Sequence, residues 1–333
     1  MPAFCERAQS RAYNQSHMQM RKVGKSGLQV SAIGLGCNNF GARIDLEASR
    51  KVIDKAIEVG ITLFDTADSY GNMGGSETIL GQVLGARRKQ IVLATKFGNP
   101  MNAEGTLKGA SRGYIMQAVE ASLKRLRTDW IDLYQLHKPD PLTPMEETLG
   151  ALNDLIRQGK VRYVGCSNLP AWQVVESQWI SKERALANFV CCQDEYSLVV
   201  RGVERELIPA IAKYGLGLLP FFPLASGLLT GKYVPNQTPP KGTRFAEWAR
   251  LAGRFLSDAN VKKAEKLKDY CERNGHTLIE LAFSWLLSKP EVSSVIAGAT
   301  SAGQVEQNAH AGSWQMTPEE LAEVDPLTAA VES

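Results

Sequence analysis

The stretch Ile61-Thr62-Leu63-Phe64-Asp65-Thr66-Ala67-Asp68-Ser69-Tyr70-Gly71 decides how the chain is read. A short apolar run ends in a carboxylate and then in turn-forming residues, as a strand does when it runs out into a loop. Just upstream, Asp45 precedes a segment with Val52, Ile53, Ala56 and Ile57 on one helical face, and Gly60 stands where a glycine ends a helix. Helix, strand and loop then recur along the chain. Strands are expected at Ser31–Leu35, Ile61–Asp65, Ile91–Thr95, Ile131–Leu136, Val161–Cys166, Phe189–Gln193, Gly217–Phe221 and Val292–Ala297. Several are apolar on consecutive residues, as parallel strands covered on both faces are. Eight strand–helix units predict an α/β chain closed into a (β/α)8 TIM barrel. An open, doubly wound sheet would carry GxGxxG after its first strand. Gly34-Leu35-Gly36-Cys37-Asn38-Asn39-Phe40-Gly41 lacks that spacing.

Punctuation supports the helices. Thr143-Pro144-Met145-Glu146 reads as a capping box opening a helix that ends at Gly159, and Thr317-Pro318-Glu319-Glu320 repeats the device. Ser111 is placed to cap a helix running to about Leu126. Arg21–Val30 reads as a short N-terminal β-hairpin around Gly24–Gly27 that plugs the barrel's N-terminal end. Leu224–Asp258, after the seventh barrel strand, is long, irregular and rich in Pro, Gly and Arg, the kind of loop that is usually functional. Residues 1–20 are expected to be a disordered leader, with Met18 or Met20 an alternative start, and 21–333 a single barrel domain.

Bulk properties narrow the function. Of 333 residues, 44% are hydrophobic and 22% charged, and the net charge is +3. Basic residues are spread out, the densest run being Arg87-Arg88-Lys89, so neither nucleic acid nor an anionic membrane is indicated. The six cysteines form no CxxC pair and are read as reduced thiols, which points to the cytoplasm. The four histidines are far apart and no zinc-type spacing is present, so no metal is expected.

Asp65, Lys96 and His137 directly follow expected strands, and Tyr70 lies in the loop after Asp65. Barrel sites form at the C-terminal ends of strands, so all four can meet at one mouth. Taken singly, each has an ordinary explanation: a helix cap, a solvated lysine, a satisfied histidine. Together they make an acid site. A tyrosine titrates near pH ~10, and an adjacent ammonium is expected to lower that value. Tyr70 could then protonate a carbonyl oxygen, with Asp65 holding Lys96 charged and a neutral His137 orienting the carbonyl.

These motifs resemble the aldo-keto reductase superfamily over about Arg21–Asp325: GLG at 34–36, FDTADSYG, ATKFG, YQLHKPD, GCSN, QDEYSL, PLASGLLTGKY and VIAGATSAGQVEQN. LTGKY and GATS look closest to the bacterial and potassium-channel-β-subunit-like branches. The resemblance implies a barrel that binds NADPH without a Rossmann motif, with Tyr70 as acid/base assisted by Asp65, Lys96 and His137. It places Gly36, Cys37, Asn38, Asp65 and Phe222 in the cofactor site, Ser167, Asn168 and Gln193 on the nicotinamide carboxamide, and Tyr196 or its neighbourhood on the ring. Pro223, Leu224, Ala225 and Gly227 would line the pyrophosphate. Lys232 and Arg244 would lie near the 2′-phosphate, with the N–H groups of a helix starting near Ser301 available to a phosphate. Gly298, Thr300, Gln304, Gln307 and Asn308 would surround the adenosine.

Three positions depart from the family pattern. Gln307 stands where many members have glutamate, Gly298 where some branches have lysine, and Asn38 where relatives often carry an aromatic residue. The last implies a more polar substrate pocket. The expected activity is NADPH-dependent reduction of an aldehyde or ketone, a small molecule. The alternatives are a non-catalytic nicotinamide-binding regulatory subunit, and a Schiff-base aldolase using Lys96. The substrate and the oligomeric state stay open.

Overall fold

Apolar runs covered on both faces become the strands of one closed sheet. The computed structural model describes residues 18–233, 237–241 and 243–328. β1 (Met20–Lys22) and β2 (Gln29–Ser31) form an antiparallel hairpin. The barrel strands are β3 (Ile33–Gly36), β4 (Leu63–Asp65), β5 (Val92–Phe97), β6 (Ile131–Leu136), β7 (Val161–Ser167), β8 (Cys191–Gln193), β9 (Gly217–Leu218) and β10 (Val295–Gly298). All are parallel, in the order β10-β3-β4-β5-β6-β7-β8-β9. The remaining seam closes through Leu218 N to Glu291 O (2.7 Å), Ser293 N to Leu218 O (2.8 Å) and Ile296 N to Pro220 O (2.9 Å). The eight-stranded barrel and its hairpin thus match the expectation.

The expected first strand, Ser31–Leu35, divides at Ala32. Ser31 Oγ donates to Ile33 O at 2.6 Å and accepts from Thr62 N at 2.9 Å, turning the chain from hairpin into barrel. The hairpin does plug the barrel floor. Val23, Leu28 and Val30 pack with Leu63, Ala94, Leu133, Cys191, Leu219 and Ile296 in a small interior core, separate from the larger core between sheet and helices. Arg21 locks it in place, donating to Val292 O at 2.9 Å and Leu287 O at 2.8 Å.

Most helix caps appear as read. Asp45 accepts from Ala48 N, Ser111 from Tyr114 N, and Thr317 with Glu320 completes a capping box. The box at Thr143–Glu146 does not form. Thr143 Oγ1 donates instead to Asp140 Oδ2 at 2.8 Å, the helix Met145–Arg157 starts from Pro144 without a side-chain cap, and Glu146 pairs with Arg184. Asp140 won that hydroxyl because it already gathers the amides of Ala110 and Leu142.

The described residues of the 224–258 segment form more regular structure than its composition suggests. It contains a 3-10 turn at Ala225–Thr230 and helices at Arg244–Glu247 and Ala249–Phe255. Burial of Phe245 and Phe255 orders it, with Tyr233 packed on Phe245 (ring centroids 4.6 Å apart). Of the expected leader, residues 1–17 lie outside the described residues. Of residues 18–20, Gln19 O accepts from Ala32 N at 2.7 Å and Met20 pairs with Ser31. No described helix is long and apolar enough to cross a membrane.

Gly24 seats the plug. Its φ is +55°, and a Cβ there would lie 2.4 Å from Gly215 O. Gly24→Ala should therefore destabilise the fold by about 1–3 kcal/mol, read as a lowered urea midpoint. An unchanged midpoint would show that the plug contributes nothing to stability.

Candidate active site

The ladder register carries the acid site to one mouth. Asp65 closes β4 beside Ala94, two residues short of Lys96 on β5, and Lys96 lies beside Gln135 on β6, two residues before His137. Lys96 Nζ lies 2.7 Å from Asp65 Oδ2, 2.9 Å from Thr66 O and 3.5 Å from the Tyr70 hydroxyl. Asp65 Oδ1 accepts from Gln193 Nε2 at 2.8 Å and Gln135 Nε2 at 3.3 Å. Lys96 has no exposed surface. Burial disfavours its charged form, but Asp65 and Tyr70 outweigh burial and hold the ammonium above the ordinary lysine value. A lysine held charged in this way is no nucleophile, which argues against the Schiff-base alternative.

Tyr70 departs from the sequence reading. The ammonium does pull its acidity in the expected direction, but burial raises the phenol by more, so its net pKa lies above the ordinary tyrosine value. Tyr70 is therefore a protonated acid at neutral pH rather than a pre-formed phenolate. His137 moves the other way: burial, then the charges of Lys96 and Lys138, depress it to about 3. Its imidazole is neutral, as expected. The two rings meet edge-on with centroids 5.7 Å apart.

Local backbone holds Tyr70 in place. Gly71, Asn72 and Met73 are left-handed (φ 68°, 58° and 62°), and a Cβ on Gly71 would meet Phe40 O at 2.5 Å. This tight turn starts the helix Tyr70–Val83, which Ser76 ties back through Thr66 Oγ1 (2.8 Å) and Cys37 O (2.8 Å). Left-handed Asn72 and Met73 store strain beside a functional group. One contact escaped the sequence reading: Asn99 Nδ2 lies 3.0 Å from His137 Nδ1 and 3.4 Å from Ser69 Oγ.

A groove of about 430 Å³ runs from Asp65, Tyr70 and His137 to Thr300, Gln304, Gln307 and Asn308. Of the other expected cofactor residues it is lined by Gly36, Asn38, Ser167, Asn168, Gln193 and Phe222, and by Pro223, Leu224, Gly227, Lys232, Arg244 and Gly298. Three expected residues are not brought to it. Cys37 is buried with its thiol on Leu35 O, and Ala225 is buried below the turn. Tyr196 points away, its ring against Trp285 (5.2 Å) and its hydroxyl on Glu204 Oε1 (2.6 Å), and Phe221 lines the groove in its stead. Ser167, Asn168 and Gln193, expected at a carboxamide, are already bonded among themselves and to their neighbours. Ser167 Oγ donates to Gln193 O, Asn168 Nδ2 to His137 O and Ser167 Oγ, and Gln193 Nε2 to Asp65. The helix Ala302–Ala311 has part of its N-terminus already satisfied, Gln304 N by Ser301 Oγ and Thr300 N by Gln304 Oε1.

Arg43, Asn39, Thr230 and Tyr233 line the groove without having been read from the sequence. Arg43 follows a glycine-containing turn, the one signal that pointed to it. Arg244 is largely buried, with a 3.5 Å contact to Asn39 Oδ1, and burial and then the charge of Arg43 lower its pKa. Arg43 also pairs with Glu247 at 2.7 Å. Gly298 is explained by its neighbours: a Cβ there would lie 3.2 Å from both Asn38 Oδ1 and Asn39 Nδ2. The two asparagines occupy the space a side chain would need.

Over residues 32–329 the sequence matches the aldo/keto reductase family. It is 39% identical to a probable voltage-gated potassium channel subunit beta of Arabidopsis thaliana, over 87% of this chain and 90% of that one. It is 36% identical to an uncharacterized oxidoreductase of Bacillus subtilis, over 86% and 89% of the two chains. It is 35% identical to L-glyceraldehyde 3-phosphate reductase of Escherichia coli, over 92% of each.

The loop between Asp65 and Tyr70 holds another buried carboxyl. Asp68 is 1% exposed, and neither of its oxygens has a hydrogen-bond partner among the described residues; the hydroxyls of Tyr114 and Tyr134 are likewise unpartnered. Burial, then the charge of Glu77, raises Asp68 to about 8. Between about pH 4 and pH 8 the folded protein keeps a proton that the unfolded chain has released, so stability falls as pH rises through that window. Asp68→Asn removes this ionisation. Its stability relative to the parent should grow from pH 5 to pH 8, reaching about 1–3 kcal/mol. A difference that stays flat with pH in parallel denaturation series would contradict the assignment.

Proposed function

The chain belongs to the aldo/keto reductase family, and from that premise we propose that it reduces a small polar aldehyde or ketone to the alcohol with NADPH, Tyr70 being the proton donor. Membership makes it a nicotinamide-dependent oxidoreductase. The observation that carries the finer reading is the contact chain from Asp65 through Lys96 to Tyr70, opening beside His137 into a long groove.

Ser167, Asn168 and Gln193 would hold a reduced nicotinamide in the groove, which would supply a hydride to the carbonyl carbon. The chain's own residues handle the proton. Tyr70, protonated at neutral pH, gives its proton to the carbonyl oxygen, and Lys96 stabilises the phenolate left behind. Asp65 keeps Lys96 charged and aimed. Neutral His137 donates a hydrogen bond to the same oxygen and discharges no second proton. Asn38, His137 and Asn168 line the groove, a polar lining that favours a polar carbonyl.

The far end of the groove supports NADPH over NADH. Arg43 and Arg244 face one another with an incomplete set of acceptors, and two guanidiniums that repel each other suit a phosphate dianion. Lys232 and Thr300 add donors there. Ser167, Asn168 and Gln193 suit a carboxamide once they exchange bonds that they now make with each other and with Asp65. The five described cysteines are free and buried, in keeping with a reducing compartment such as the cytoplasm.

A second reading has one observation behind it. Relatives from Arabidopsis thaliana and Oryza sativa bear the name of potassium channel β subunits. A purely regulatory protein would bind NADPH tightly and reduce no member of a carbonyl panel.

Tyr70→Phe should lower turnover by about 10²–10⁴-fold, the share of a positioned acid, while NADPH affinity measured by fluorescence quenching holds. Full turnover in that variant would falsify the role given to Tyr70. Arg244→Ala and Arg43→Ala should each weaken NADPH by about 10–100-fold, as expected for losing charge-assisted hydrogen bonds, and leave NADH nearly untouched. Equal losses for both dinucleotides would move the 2′-phosphate elsewhere.

A further inference from the structure

His137 can assist a carbonyl only if its proton sits on the nitrogen that faces the substrate. A neutral imidazole has one N–H, and its location is set by whatever bonds the other nitrogen. Nδ1 lies 3.0 Å from the side-chain nitrogen of Asn99. With the Asn99 amide oriented so that its nitrogen also donates to Ser69 Oγ, that nitrogen donates to Nδ1, which makes Nδ1 the bare acceptor and leaves the proton on Nε2. The main chain of His137 is already fixed at both ends, its N–H on Phe97 O at 2.9 Å and its carbonyl receiving Asn168 Nδ2 at 3.1 Å. Asn99 is therefore the side chain that governs the remaining freedom of the ring. Asn99 also reaches Ser69 Oγ at 3.4 Å, which links the imidazole to the residue preceding Tyr70.

We propose that Asn99 is a positioning residue that pins His137 in its Nε2–H form and ties that choice to the Tyr70 loop. Asn99 is not among the residues lining the groove, so it acts through His137 rather than on the cofactor. The opposite orientation of its amide would present an oxygen to Nδ1, move the proton there, and leave Nε2 a bare lone pair facing an electron-rich carbonyl. The consequence for turnover rests on the reductase reading above. The tautomer itself does not.

The test uses the full chain labelled with ¹⁵N. A long-range ¹H–¹⁵N spectrum near pH 7 reports which imidazole nitrogen is protonated, and the His137→Gln spectrum identifies the signals among the four histidines. The expected result is a single neutral Nε2–H form in the parent. Asn99→Asp can only accept a hydrogen bond, so it should transfer the proton to Nδ1 and lower kcat for the carbonyl by roughly 10–100-fold, within what a proton donor contributes, with the Kd for NADPH unchanged. A parent spectrum showing Nδ1–H overturns the proposal and needs no variant. So does Asn99→Asp with the proton still on Nε2, or with the tautomer moved and kcat intact. Failure of the reductase reading looks different: no turnover by the parent with any carbonyl, alongside the expected parent tautomer.

Discussion

Lys96 carries its positive charge with no surface exposed to solvent, and the mouth of the barrel is arranged around that fact. Removing an ammonium from water costs several kcal/mol even after relaxation, and the cost is recovered only by close, well-directed partners. Asp65 Oδ2, Thr66 O and the Tyr70 hydroxyl are those partners. The same burial that endangers the lysine makes it useful. In a dry site its charge acts on Tyr70 with little screening. Asp65 is held in turn by two glutamine amides reaching across the barrel from β6 and β8, so the pair cannot swing apart without breaking the barrel's own inner layer.

Burial also explains why Tyr70 and His137 shift in opposite directions. Desolvation penalises whichever form is charged, so it raises the phenol and depresses the imidazole. The result is a site holding one cation, one carboxylate and two neutral donors at physiological pH. That combination suits an uncharged carbonyl that becomes an alkoxide. Thirty residues of strand and helix separate Asp65 from Lys96, yet the parallel register sets them side by side, and a slip of one residue would turn Lys96 out of the barrel.

The far end of the groove has the opposite electrostatic character. Arg43 and Arg244 come from loops two hundred residues apart and approach without enough acceptors to satisfy both. Gly298 yields its side-chain space to Asn38 and Asn39. The segment carrying Arg244 is ordered by Phe245 and Phe255 buried beneath it, and so the cation is presented by a packed element rather than a free loop.

Much of the site was legible along the chain because strand ends are written locally. An apolar run, then Asp65; an apolar run ending in Thr95, then Lys96; an apolar run ending in Leu136, then His137: each is a one-dimensional pattern, and eight such units imply closure. The sequence by itself therefore determined the barrel and the residue types at its mouth. Other features depend on what lies across space. Whether Thr143 capped its own helix depended on Asp140 competing for the hydroxyl. Whether Tyr196 met the groove depended on Trp285 and Glu204 drawing it into the outer core. The sign of the Tyr70 shift depended on how much water the fold excludes, and the partner of His137 Nδ1 on an asparagine from the preceding strand's loop. Those outcomes belong to tertiary structure, because desolvation and hydrogen-bond competition are settled among neighbours that the order of residues does not place together.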